Sequence, residues 1–209
     1  MYRVKEINNF RRALYLFFFW SRSLTIARKI FFVLAMACIT GLSAQIRIPL
    51  PFTPVPITMQ TFFVLLAGVL LGRNWGGISQ IIYVGAGVLG VQWFTGGLGG
   101  YGVIFGPTGG YLIGFILTAF FLGYATDKYL KMRTFFPVLA MMTFACFFLI
   151  YIPGLVQLGF YLYAINGSFP GLIPLLTMGL FPFIPGAVIK ILLASAVAAG
   201  IMPQEKIKP

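Results

Sequence analysis

The chain has 209 residues, of which 60% are hydrophobic and only 9% charged. That leaves too few polar residues to cover a soluble domain of this size, so composition points to a polytopic membrane protein. The net charge of +12 would suggest nucleic acid in a soluble protein. In a membrane protein, basic residues gather in cytoplasmic loops, and no nucleic-acid partner is expected.

In chain order, residues 1–23 form a basic tail or interfacial helix. "ALYLFFFW" (13–20) follows Arg11 and Arg12, but it is too short to span a bilayer and no small-residue cleavage site follows it. Six apolar segments come next, near 24–46, 57–72, 76–92, 105–126, 134–153 and 179–201. Together they make one transmembrane domain over 24–203, with 204–209 as a short cytoplasmic tail. The second and third are short for a span that needs about 20 residues.

Charge placement orients the segments. Thirteen of the fifteen basic residues fall on one side if six crossings are correct. Seven, from Arg3 to Lys29, lie at or before the first segment. Arg73 follows the second, Lys128, Lys131 and Arg133 follow the fourth, and Lys206 and Lys208 end the chain. Only Arg47 lies on the opposite side, and Lys190 is left inside the sixth segment. The predicted fold is therefore an all-α bundle of six transmembrane helices in the plasma membrane, with both termini cytoplasmic.

Three long loops face the outside, with Arg47 their one charge. "RIPLPFTPVPIT" (47–58) contains four prolines, which make it stiff and extended. "QWFTGGLGGYGVIFGPTGGY" (92–111) carries glycines such as Gly96 and Gly97, threaded with Trp93, Phe94, Tyr101, Phe105 and Tyr111. "YAINGSFPGLIPLL" (163–176) is the third. Glycines let backbone approach a ligand and aromatics supply flat apolar walls, so the loops read as ligand-contacting lids.

The chain has no histidine, and its three acids, Glu6, Asp127 and Glu205, share the basic side. General acid–base catalysis, a hydrolytic triad and a metal site are all hard to build from this set. "GPTGGY" lacks the lysine of a nucleotide-binding P-loop. Cys38 and Cys146 lie far apart in apolar runs and read as core residues. No enzyme, cofactor or resident metal is expected. No carboxylate or histidine lies inside a span to carry protons, though sodium coupling through backbone carbonyls remains open. The chain reads as a membrane-embedded binder with no evident energy source of its own.

"FIPGAVIK" (183–190) places Lys190 deep in an apolar run. A lone lysine in lipid costs about 2.5–3.5 kcal/mol on insertion scales. Counted from the inner end of the segment, Lys190 lies roughly 16 Å deep, too far for easy snorkelling. It is expected to face an internal cavity and meet an anionic ligand, with Pro185 and Gly186 loosening the helix beside it. Small residues at four-residue spacing, such as Ala37 and Gly41, allow close helix contact within the bundle or with a partner.

"AQIRIPLPFTPVPITMQTF" (44–62), "GGLGGYGVIFGPTGGYLIGF" (96–115) and "FIPGAVIK" (183–190) resemble the biotin-specific S component of energy-coupling-factor (ECF) transporters. The resemblance covers most of residues 30–203. It implies a six-helix S-component bundle that binds biotin near the outer face. It also implies docking on a transmembrane coupling subunit driven by two ATPase subunits. By the same resemblance Ala37 and Gly41 match a docking motif on the first helix, and Lys190 matches a lysine that holds biotin. The family reads Pro-Gly-Asp where this chain has Pro185, Gly186 and Ala187. Ala187 removes a partner of the ureido ring, which leaves that ring to Gln60, Thr95, Tyr111 or the glycine-loop backbone. The ligand is expected to be biotin or a close relative, with its carboxylate or its polar ring edge at Lys190. The alternative is a self-contained facilitator for another small anionic vitamin or precursor.

Overall fold

A computed structural model describes residues 25–203. The basic segment 1–23 and the tail 204–209 lie outside the described residues. The chain begins with α1 (Ile26–Ser43) and continues into a two-stranded ribbon, β1 (Arg47–Ile48) and β2 (Ile57–Thr58). Next come α2 (Gln60–Leu71), α3 (Arg73–Val88), the single turn α4 (Gly102–Phe105) and α5 (Gly109–Lys128). α6 (Phe135–Phe144), a π-helical stretch (Ala145–Ile150) and α7 (Tyr151–Asn166) follow. α8 (Leu172–Gly179) and α9 (Ile184–Ile201) close the described chain, joined by a 3-10 turn at Phe181–Phe183.

Among the described residues, four stretches are long and apolar enough to cross a membrane: Ile26–Ser43, Gly109–Lys128, Phe135–Asn166 and Leu172–Ile201. α2 is apolar but shorter, in keeping with the expected shortness of the second segment. α5 is the axis of the bundle. Two thirds of it (67%) is buried, against 28–33% for the other three. α2, α3, the π stretch and α7 all pack on it. α1 is at the other extreme: it rests on α3 and α2 and leaves Ile26, Phe31, Leu34 and Leu42 exposed, as suits a helix facing lipid.

Two glycines set the close contacts. Gly72, at φ +82°, ends α2 and starts α3 in one residue, a reversal that a side chain would strain. The N–H of Arg73 that follows donates to Asp127 Oδ2 at 3.0 Å. A carboxylate from the end of α5 thus caps the first turn of α3. Gly114 of α5 faces the π stretch, where a Cβ would stand 2.6 Å from Ile150 Cα. The π stretch has a local cause. Pro153 carries no N–H for the helical bond to residue 149, and its ring crowds the preceding turn.

Two expectations need correction. The fifth segment does not stop at 153 but runs to Asn166 as one rod. The supposed outer loop 163–176 is mostly helix, with only 167–171 between α7 and α8. Its Gly and Pro residues punctuate helices instead: Gly167 closes α7 at φ +72° and Pro174 sits in the first turn of α8. The bundle is all-helical apart from the tip of the proline-rich loop, where Arg47 pairs with Thr58 and Ile48 with Ile57.

Gly114→Val is expected to overpack the α5 contact by about 1–3 kcal/mol. In detergent it should lower the midpoint of thermal unfolding, read by exposure of the buried Cys146 thiol. Gly85→Ala, whose Cβ meets nothing within 4 Å, should not lower it.

Candidate ligand-binding site

The ribbon, the glycine loop and the N-terminal parts of α5, α7 and α9 enclose a cavity. Its polar lining is Thr58, Gln60, Thr61, Thr95, Thr108, Tyr111, Tyr151 and Lys190, and its apolar lining includes Val55, Phe94, Phe115 and Phe183. About 580 Å³ within it holds no protein atom, counting the part open to solvent.

Lys190 sits in α9 and is buried. It lies six residues below the helix start, about 9 Å by helical rise. Because α9 runs from Ile184 to Ile201, Lys190 is nearer the N-terminal end of its helix than the C-terminal end. Its Nζ donates to the carbonyl of Thr58 at 2.9 Å. Asp127 is the one acid among the described residues, and its carboxylate caps α3, so no described carboxylate neutralises Lys190. An ammonium has three donors, and this one lines the cavity.

Gln60 is locked in one orientation. Its Nε2 donates to the Tyr83 hydroxyl at 2.6 Å. Its Oε1 accepts from the hydroxyls of Thr58 at 3.1 Å and Thr95 at 3.2 Å. Tyr83 is itself fully buried. Its carbonyl accepts from Trp93 Nε1 at 2.9 Å, and Trp93 and Phe94 pack on its ring at 5.4 and 5.5 Å. Gln45 at the end of α1 donates to the carbonyl of Phe94 at 3.0 Å. Tyr111 closes the other side by donating to the carbonyl of Gly179 at 2.8 Å, and its ring meets Tyr151 edge-on at 6.0 Å. Thr53 of the proline-rich tip donates to the neighbouring Met178 carbonyl at 2.7 Å.

Of the residues singled out in the sequence, the cavity gathers Lys190, Gln60, Phe94, Thr95 and Tyr111. Ala187 is fully buried one turn from Lys190 but does not line the cavity. Trp93 stands behind the wall, against Tyr83. Gly96 and Gly97 are exposed, both at positive φ, and Tyr101 is three-quarters exposed. Ala37 and Gly41 are covered by the chain itself. A Cβ on Gly41 would stand 3.0 Å from Trp93 Cβ, so here this small pair lets the glycine loop approach α1. Sequence reasoning missed Thr58, which serves through a carbonyl that every residue has. It also missed Tyr83, whose partner lies 23 residues away.

Several helices long and apolar enough to cross a bilayer, packed around a partly polar cavity, define a class first: a multi-pass membrane protein. The BioY family model matches residues 13–206, and the chain belongs to the BioY family. It is 52% identical to the probable biotin transporter BioY of Methanothermobacter thermautotrophicus over 140 residues, which cover 67% of this chain and 89% of that one. It is 35% identical to the biotin transporter BioY of Thermotoga maritima, over 72% of this chain and 83% of that one. Among solved structures it is similar to the S-component for biotin from an ECF-type ABC transporter. There the TM-score is 0.73 at 27% identity, over 85% of this chain and 93% of that one.

Tyr83→Phe leaves Gln60 Nε2 buried without its acceptor, at a cost of about 1–3 kcal/mol. Thermal unfolding should show the loss. In Gln60→Leu/Tyr83→Phe it should be smaller than the sum of the two single changes, a coupling of about 0.5–3 kcal/mol.

Proposed function

We propose that this chain captures biotin from the outer side of the cell membrane as the substrate-specific subunit of an ECF-type transporter. The observation that carries the reading is the cavity itself: a lone ammonium and a fixed amide inside a mostly apolar chamber, beneath the proline and glycine loops, in a BioY chain. Biotin joins an apolar ring and tail to a urea and a carboxylate, and such a ligand suits walls of Phe and Val with a few placed polar groups. The Thr58 carbonyl, with a lone pair left beside Lys190, and the Thr95 hydroxyl, whose proton goes to Gln60, are acceptors for urea N–H groups, and Lys190 and Thr108 are donors. Ala187 leaves Lys190 without a carboxylate neighbour, so acceptors on the wall take over the part that an aspartate plays elsewhere in the family.

The arrangement in the membrane belongs to the same proposal. Six crossings with both termini cytoplasmic place Arg73, Lys128, Lys131 and Arg133 inside, with residues 24–203 as one transmembrane domain flanked by tails. Uptake is powered by a transmembrane coupling subunit with two ATPases, because the chain offers no nucleotide site or proton relay of its own. The chain acts as a carrier subunit and not as an enzyme. Ala37 and Gly41 would reach a partner only through the face of α1 that surrounds them.

Calorimetric titration of biotin into the purified full chain tests this. Binding is expected, and Lys190→Met should weaken it by about tenfold to a hundredfold, the worth of a hydrogen bond to a charged group. The same variant should unfold at the same temperature or higher, because a lone buried ammonium is costly to keep. No binding by the wild type would overturn the reading. Uptake into liposomes by this chain alone, without ATPase subunits, would favour a facilitator.

A further inference from the structure

A second, larger hollow adjoins the first. It lies between the proline-rich tip, the glycine loop and Tyr161 of α7, and about 1120 Å³ of it is free of protein atoms, counting open solvent. Pro56, Thr95 and Thr108 line both hollows, so these three residues form a neck between an inner and an outer chamber. Arg47 is the one charged residue lining the outer chamber. Its backbone is held by the ribbon, in register with Thr58, whose carbonyl binds Lys190 on the inner side. Its guanidinium lies against Gly96, where a Cβ would fall 2.5 Å from Nη1. Among the described residues no hydrogen bond or ion pair occupies that guanidinium.

The two chambers thus offer different chemistry. The inner one has a buried ammonium already bonded to a carbonyl, and hydroxyls and an amide that suit a neutral polar head. The outer one has an exposed, unpaired guanidinium, a planar fork that matches a carboxylate. A carboxylate taken to the inner chamber loses its water, whereas one held at Arg47 keeps part of it. We propose that the outer chamber is a carboxylate subsite: the ligand lies across the neck, its neutral head at Lys190 and its anionic end on Arg47. The inference rests on the biotin reading above and fixes which end of the ligand enters first. Gly96 belongs to the subsite by leaving room for the guanidinium.

The test compares biotin with biotin amide, in which the carboxylate is replaced by a neutral amide, by calorimetry on the full chain. The wild type should prefer biotin by about tenfold, the scale of a charge-assisted hydrogen bond. Arg47→Ala should erase that preference by weakening biotin alone, and Arg47→Lys should keep part of it. Gly96→Ala should reproduce part of the loss by displacing the guanidinium. Unchanged binding of the amide shows that each variant is folded. Association of biotin should slow with salt in the wild type and lose that dependence in Arg47→Ala. Lys190→Met should weaken both ligands alike. Unchanged biotin affinity in Arg47→Ala, or equal loss for both ligands, would overturn the subsite. So would a loss confined to biotin in Lys190→Met, which would put the carboxylate at Lys190. If the wild type binds neither ligand, the biotin reading falls and the subsite with it.

Discussion

A single positive charge inside an apolar chain must be held by something, and here it is held without a counter-charge. Lys190 Nζ rests on the carbonyl of Thr58, and the surrounding structure follows from keeping that carbonyl in place. Thr58 sits in β2, paired across the ribbon with Arg47, and its hydroxyl donates to Gln60. Gln60 in turn takes Thr95 of the glycine loop and Tyr83 of α3. Thr58 and Gln60 therefore tie together the ribbon, the start of α2 and the loop above the cavity, and so hold the carbonyl that receives the ammonium. A half-satisfied polar network is costly in a low-dielectric setting, which explains why each member except the lysine is closely bonded.

The walls of the cavity depend on a different constraint, the approach of α5 to its neighbours. Gly114 brings α5 against the π stretch at Ile150, and Pro153 accounts for that stretch. Ile150 and Tyr151, at the end of the π stretch, face the cavity opposite Tyr111 and Phe115 of α5. Packing of small residues brings the helices close, and the irregular turn then aims larger side chains into the space between them.

Much of this was legible in the sequence, for identifiable reasons. Apolar runs located the helices, because a bilayer allows little else. Lys190 stood out as the one charge inside a run. Gln60, Thr95 and Tyr111 came from the resemblance, and the structure gathers them around Lys190. The stretch 163–176 was misread because Gly167 and Pro174 signal helix ends as readily as loops. Thr58 and Tyr83 gave no signal, since one acts through its backbone and the other through a contact made only on folding. Ala37 and Gly41 show the limit of spacing alone: four residues apart predicts a close contact, but not that Trp93 supplies it.

The proline-rich tip has a consequence for entropy. Ordering a free residue costs about 1–2 kcal/mol in backbone freedom. Four of the eight residues from 49 to 56 are prolines, whose φ is fixed before folding begins. The cover over the cavity therefore surrenders little freedom on taking its shape, and its anchor through Thr53 to Met178 has correspondingly less disorder to oppose. A glycine-rich tip of equal length would need several more such anchors to stay in place.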